Sequence, residues 1–389
     1  MNRKIFILTV IALIISSCAP PAKLNNSFQL TDLTTDEKRL WNQAEEEEQR
    51  IDNSGWLYQD SLLISYINQV EQKLLPKEAL QKGLTIQVKI LRNPLLNAFA
   101  YPNGIIYVHT GFLAKMENEA QLAALLGHET THILHKHAIK NLRQIKSQTS
   151  FYATLQFVGL PFGVFGNLVS LLGGLGTMAA ISGYSKNMEA QADRYGLQLM
   201  TKAGYDPEQA LNLFQLLEEE IKELKIKEPF FFGSHPHIAD RIQIYEQLLK
   251  TKYAGQSGLT NETTFQKMTS QVIFDNALLD LQMGRFKSTQ RALNRYLQKH
   301  PGDGLAYHYL AETYRQRNEK NDVELAIKNY LLAIEKSPHL AEPHKGLGLI
   351  YFKQNQKEKA SKEFKAYLNL APSAKDRDYI LEYLKAMGK

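Results

Sequence analysis

The sequence predicts an α+β fold that is predominantly α, with a first domain built around a small β-sheet and an α-solenoid behind it. Three observations predict it. Apolar residues recur at helical spacing over most of the chain. Alternation with a period of two is confined to about residues 84–108. The C-terminal part, from about 272 to 389, repeats itself. A chain of 389 residues is long enough for two or three domains, and 44% hydrophobic against 22% charged residues is ordinary for a protein with a packed core.

The start reads as a leader. Arg3 and Lys4 precede an apolar run, Ile5 to Ile15, that is too short to span a membrane. Ile15-Ser16-Ser17-Cys18 then matches the bacterial lipobox and resembles a lipoprotein signal. That resemblance implies cleavage after residue 17, diacylation of Cys18 and a membrane held through its acyl chains. With Ala19 rather than Asp after the cysteine, it also implies the periplasmic face of the outer membrane. Cys18 is the only cysteine, which excludes an intramolecular disulfide and a thiolate metal site. The formal charge of +6 falls to +4 without Arg3 and Lys4. So mild a balance, with no dense basic run among aromatics, excludes a nucleic-acid partner.

Residues 18–36 form a tether rich in Pro, Asn and Thr. Asp36 to Arg50 predicts a helix whose Glu45-Glu46-Glu47-Glu48 run makes a solvated face. Leu62, Leu63, Tyr66, Ile67, Val70 and Leu74 place a helix between Asp60 and Leu75, ended by Pro76. Leu84, Ile86, Val88 and Ile90 alternate as a half-buried strand. Asn97 to Val108 predicts a hairpin turning at Pro102-Asn103-Gly104. One long helix is expected from Asn118 to Asn141 and another from about Lys186. Gly255, Ser257, Gly258 and Asn261 mark a linker over 251–271.

Beyond it, Pro338 and Pro372 lie 34 residues apart, and the same offset relates Ala326 to Ala360 and Tyr330 to Phe364. An offset of 37 relates Leu310 to Leu347 and Ala311 to Gly348, which places a three-residue insertion near Glu319 to Asp322. Gly284, Leu297 and Pro301 begin a weaker copy. Small and aromatic residues at this period resemble tetratricopeptide repeats over 272–389, helix pairs that stack because no single pair buries its own apolar face.

The chemistry starts at His128-Glu129-Thr130-Thr131-His132, an HExxH pattern. At about 100° per residue, positions i and i+4 project from one helical face, so both imidazoles reach one metal ion. Glu129 lies beside them, placed to touch a water without ligating. Zinc needs a third protein ligand and an open position. The zincin group that continues with Gly and a third His at fixed offsets is excluded, because those offsets hold His135 and Ala138. Glu189 and Asp193 are the better candidates, again i and i+4 on one face. One can ligate while the other accepts a hydrogen bond from a ligand imidazole. His137 is expected to point about 180° from His128, outside the coordination sphere.

At these residues the sequence resembles the M48 family of metallopeptidases, a zincin-type fold. The family's later Glu-x-x-x-Asp motif stands here at Glu189 to Asp193, and its Ser/Thr-His-Pro segment with a following Arg at Ser234-His235-Pro236 and Arg241. Asn97 to Gly104 looks like its strand beside the cleft. Lys186 departs from the Arg of many relatives without touching a ligand position. The resemblance covers about 60–250 within an expected catalytic domain of 37–250. It implies one Zn2+ per chain held by His128, His132 and Glu189, with Glu129 as general base and Asp193 supporting a ligand. It makes His235 and Arg241 candidate oxyanion donors; His235 as a fourth ligand closing a resting site is the competing assignment. Ala98, Phe99, Ala100 and Tyr101 are then the edge strand that pairs with an extended peptide.

Ser147 to Ser185 holds no charged residue over 39 positions. Because His132 and Glu189 must meet at one ion, both its ends lie on one side of any membrane. With Pro161 and seven glycines inside it, a buried hairpin or lid is expected rather than a span. The function these readings imply is a zinc endopeptidase acting on unfolded or misassembled envelope proteins. The repeats would bind a client or, by resemblance, the outer-membrane assembly machinery. The alternative is a latent peptidase acting as an assembly adaptor through the repeats.

Overall fold

The computed structural model describes residues 33–146, 184–224 and 238–388. Cys18 with the leader, His235, and residues 147–183 of the uncharged stretch lie outside them. The fold is α+β and predominantly α. Helix α1 (Thr35–Asp52) opens with a capping box between Thr34 and Glu37. Helices α2 (Ser61–Leu74) and α3 (Lys77–Gln81) lead into a three-stranded sheet of order β1-β3-β2. Strand β1 (Gln87–Leu91) runs parallel to β3 (Ile105–His109), and β2 (Ala98–Ala100) pairs with β3 antiparallel as the expected hairpin. Alternate side chains serve two faces. Phe99, Tyr101 and Tyr107 pack on Leu40, Ala44 and Ile51 of α1. Ala98, Ala100, Ile106 and Val108 join the main core with Ile67 and Val70 of α2.

The glutamate run of α1 is solvated at Glu45 and Glu46, as expected, but not at Glu47. Glu47 is fully buried and accepts a hydrogen bond from the Tyr101 hydroxyl at 3.0 Å. Glu48 accepts from Asn103 and Lys89, both at 2.8 Å. The sheet needs α1 as its cover, and these two carboxylates tie the cover to the hairpin.

After α4 (Thr110–Lys115), the central helix α5 (Glu119–Leu134) is capped by Asn118, whose side chain accepts from the Gln121 amide. It is buried on every side over most of its length. The single helix expected to Asn141 is broken: Lys136 takes φ 53°, and α6 (His137–Lys146) sets off in a new direction. Helix α7 (Lys186–Lys202) starts at the expected place behind a Ser185 cap and crosses α5 where both lack side chains. A Cβ on Gly127 would sit 2.9 Å from the Gly196 carbonyl oxygen, and one on Gly196 would sit 2.8 Å from the His128 amide nitrogen. Backbone cannot yield as a flexible side chain does. Gly196→Ala is therefore expected to cost about 1–3 kcal/mol in urea unfolding, and to loosen whatever His128 and Glu189 hold together.

Helices α8 (Glu208–Leu224) and α9 (Ile238–Lys250) complete this domain. The second half of the expected linker is not a linker. Helix α10 (Glu262–Gln282) begins inside it, and Phe265, Met268 and Val272 join the main core with Leu63 and Ile67. Helices α11 (Phe286–Lys299), α12 (Gly304–Arg317), α13 (Asp322–Lys336), α14 (Glu342–Lys353), α15 (Lys357–Leu370) and α16 (Arg377–Met387) follow. The offset-related Leu310 and Leu347, Ala326 and Ala360, and Tyr330 and Phe364 are all buried, as equivalent sites of stacked helix pairs should be. This array is seated on the first domain: Thr110 donates to Asn276 at 2.9 Å, and Arg295 donates to the Ala114 carbonyl at 2.7 Å. Among the described residues, no helix is long and apolar enough to cross a membrane.

Candidate metal centre

Helix α5 projects His128 and His132 from one face, with their Nε2 atoms 3.0 Å apart. Helix α7 brings Glu189 from the other side, its Oε2 lying 3.5 Å from His128 Nε2 and its Oε1 3.6 Å from His132 Nε2. The three donor atoms lie within 4.8 Å of one another, and all three residues are buried. Two imidazole nitrogens and one carboxylate oxygen, converging from two remote helices, fit zinc. No thiolate or backbone carbonyl competes among these donors.

Behind these three residues lies a charged cluster. His128 Nδ1 donates to Asp193 Oδ1 at 3.0 Å, which leaves Nε2 bare toward the centre. The Tyr245 hydroxyl donates to the same oxygen at 3.0 Å. Arg241 reaches Asp193 through Nε at 2.9 Å and Nη2 at 2.6 Å, and its Nη1 lies 3.3 Å from Glu189 Oε2. Nη2 also lies 3.0 Å from His128 Nδ1. Both of those nitrogens carry protons once His128 donates to Asp193, so that approach is a contact and not a hydrogen bond.

Arg241 is 1% exposed, and its guanidinium carbon lies 4.3 Å from the Phe214 ring centroid. The guanidinium expected as a candidate oxyanion donor is engaged here by Asp193 and Glu189. Burial would raise the Asp193 carboxyl, but Arg241 and His128 outweigh it and hold the group well below the usual carboxylate range. Burial, aided by Arg241, pushes His128 down to about 4, so the ring is neutral and able to ligate.

Glu129 is fully buried beside the ligands. Burial, then Glu129 and Glu189, push the Tyr184 hydroxyl up, which marks both carboxylates as its neighbours. Tyr184 itself stacks on His132 with centroids 4.1 Å apart and an interplanar angle of 20°. A cavity of about 1060 Å³ lies alongside, lined by His132, Tyr184, Tyr195, Trp41, Ala100 and Tyr101. Strand β2 is the sheet edge at this cavity. Tyr101 donates to Ile105 and His109 to Asn97, so residues 97, 99 and 101 turn their backbone groups toward β3. By alternation, Ala98 and Ala100 turn theirs outward.

Sequence reasoning missed Tyr184 and Tyr245, and it set His137 outside the coordination sphere without finding its contact with His132. Tyr184 adjoins the second motif and Tyr245 lies four residues past Arg241, so helical spacing could have found the latter. His137 could not be found that way, because the break at Lys136 turns it back until its Nδ1 lies 2.9 Å from that of His132. Also missed was Glu71, fully buried beneath α5 and accepting from Thr130 Oγ1 at 2.6 Å.

Burial pushes the Glu71 carboxyl up from 4.5 to about 8, against the opposing Thr130 hydrogen bond. The folded chain then binds a proton that the unfolded chain releases, so stability falls as pH rises from about 4.5 to about 8. Glu71→Gln is expected to remove that part of the decline, about 1.4 kcal/mol per pH unit in the window. Urea melts of both chains at several pH values measure it.

Residues 64–249 match the family model described as Peptidase family M48. This stretch is a peptidase family M48 domain. Relatives of the M48 domain include the Beta-barrel assembly-enhancing protease of Yersinia pestis, 28% identical over 191 residues, or 47% of this chain and 38% of that one. The Mitochondrial metalloendopeptidase OMA1 of Schizosaccharomyces pombe is 27% identical over 227 residues, 58% of this chain and 65% of that one. The protein of the same name from Arabidopsis thaliana is 32% identical over 136 residues, 35% of this chain and 26% of that one. The chain thus spans less than two-thirds of each of these relatives.

Proposed function

We propose that the chain is a zinc-dependent endopeptidase of the bacterial envelope, cleaving unfolded or misassembled proteins. The observation that carries this reading is the convergence of His128, His132 and Glu189 with Glu129 buried beside them. Bound there, zinc would supply Lewis acidity and a water of lowered pKa. The chain's own groups would do the rest. Glu129 takes a proton from the attacking water and returns it to the leaving amine. Asp193 and Arg241 hold His128 and Glu189 in place. The outward backbone groups of Ala98 and Ala100 pair with an extended peptide lying along the cavity. Main-chain pairing selects unfolded segments rather than particular side chains.

The repeats would present a client or dock a partner. The name of the Yersinia pestis relative supports β-barrel assembly as the setting. Anchoring through Cys18 on the periplasmic face of the outer membrane belongs to the same proposal. The deciding experiment is digestion of an unfolded protein by the purified chain. Cleavage should vanish with a chelator and return with zinc. Client binding without cleavage in the zinc-loaded chain would favour the adaptor instead.

A further inference from the structure

The two imidazoles of the metal centre are supported differently. His128 leans on a carboxylate, Asp193, whereas His132 faces another imidazole. His137 is fully buried; its Nδ1 lies 2.9 Å from His132 Nδ1, and its Nε2 lies 3.0 Å from Gln191 Oε1. With no ion between them, two ring nitrogens at that separation must share one proton. His132 turns its Nε2 toward His128 Nε2 and Glu189, so that nitrogen must offer a lone pair to the metal. A neutral ring with a bare Nε2 carries its proton on Nδ1. His132 therefore donates from Nδ1 to His137 Nδ1. The proton of His137 is thereby confined to Nε2, where it donates to Gln191 Oε1. The opposite polarity would put a proton on His137 Nδ1 and oblige His132 to accept through Nδ1, moving its own proton onto the ligating nitrogen.

We propose that His137 is the positioning residue of His132: a neutral imidazole, polarised by Gln191, that sets the tautomer and ring orientation of this ligand. Tyr184 holds the same ring by stacking on it. A neutral partner also suits the local charge. Glu129, Glu189 and Asp193 already stand around the ligands with Arg241 as the cation among them. Zinc and Arg241 would together balance these three carboxylates, so a further carboxylate at 137 would leave the loaded centre with a net negative charge.

The inference rests on the zinc reading above and is tested on the purified full chain by chelator competition. His137→Leu is expected to weaken zinc binding by about 10–100-fold. His137→Asn, whose Oδ1 can accept from His132 Nδ1, should recover most of the loss. In nitrogen-15 spectra of the zinc-loaded wild type, His132 should be protonated at Nδ1 and His137 at Nε2, a readout that does not depend on whether a variant folds. Unchanged affinity in a folded His137→Leu chain, equal losses in both variants, or a His137 protonated at Nδ1 would each overturn the inference alone. A wild-type chain that takes up no zinc overturns the zinc reading and this inference together.

Discussion

Glu129→Gln is expected to lower the rate of peptide cleavage by about 10²–10⁴-fold, the range for losing a positioned general base, while zinc content and unfolding midpoint stay at wild-type values. The physical reason is the division of labour on α5. His128 and His132 project toward Glu189, whereas Glu129 is outside the ligand set. Glutamine keeps the volume of the fully buried side chain and removes only its ability to take a proton. The measurement is initial cleavage rate together with metal content. Retention of more than a tenth of the activity would assign the base elsewhere. Loss of zinc along with activity would make Glu129 part of the ligand set.

Arg241→Met is expected to act on stability before it acts on the rate. Arg241 is 1% exposed and is ion-paired with both Asp193 and Glu189. Methionine would leave two buried carboxylates without their cation, and removing one partner of a buried pair costs about 3–5 kcal/mol. The sign with pH follows. Asp193 is held below the usual carboxylate range, so its contribution is present above its unfolded value and is lost as pH falls through the folded one. Without Arg241, burial raises the Asp193 carboxyl. The deficit of the variant should therefore grow from acid to neutral pH. Zinc brings positive charge to the same place, so adding it should shrink the deficit. Urea unfolding of both chains, with and without zinc, measures this. A variant as stable as wild type but slow in turnover would favour the oxyanion role for Arg241.

Much of this was legible in the sequence. His128, His132 and Glu189 converge as the helical spacing and the M48 resemblance implied. Asp193 stands at hydrogen-bond distance from His128 Nδ1, and the hairpin places β2 at the sheet edge. What could not be read depended on angles between segments. A left-handed residue at Lys136 reversed the expected direction of His137. The cover that α1 provides drew Glu47 out of solvent. The start of α10 within an apparent linker brings Phe265 into the main core, a contact between remote segments.

The sequence by itself determined the residue types and their local periodicity: two imidazoles on one face of α5, two carboxylates on one face of α7, and helix pairs repeating near 34 residues. Such spacing gives each helix an apolar face to bury, although packing supplies most of its stability. Only the tertiary structure decided which carboxylate meets the imidazoles, that Arg241 stands behind them, and that His137 supports His132. Those outcomes hang on the close crossing at Gly127 and Gly196 and on one bend, geometry that arises when remote segments pack and that local spacing does not encode.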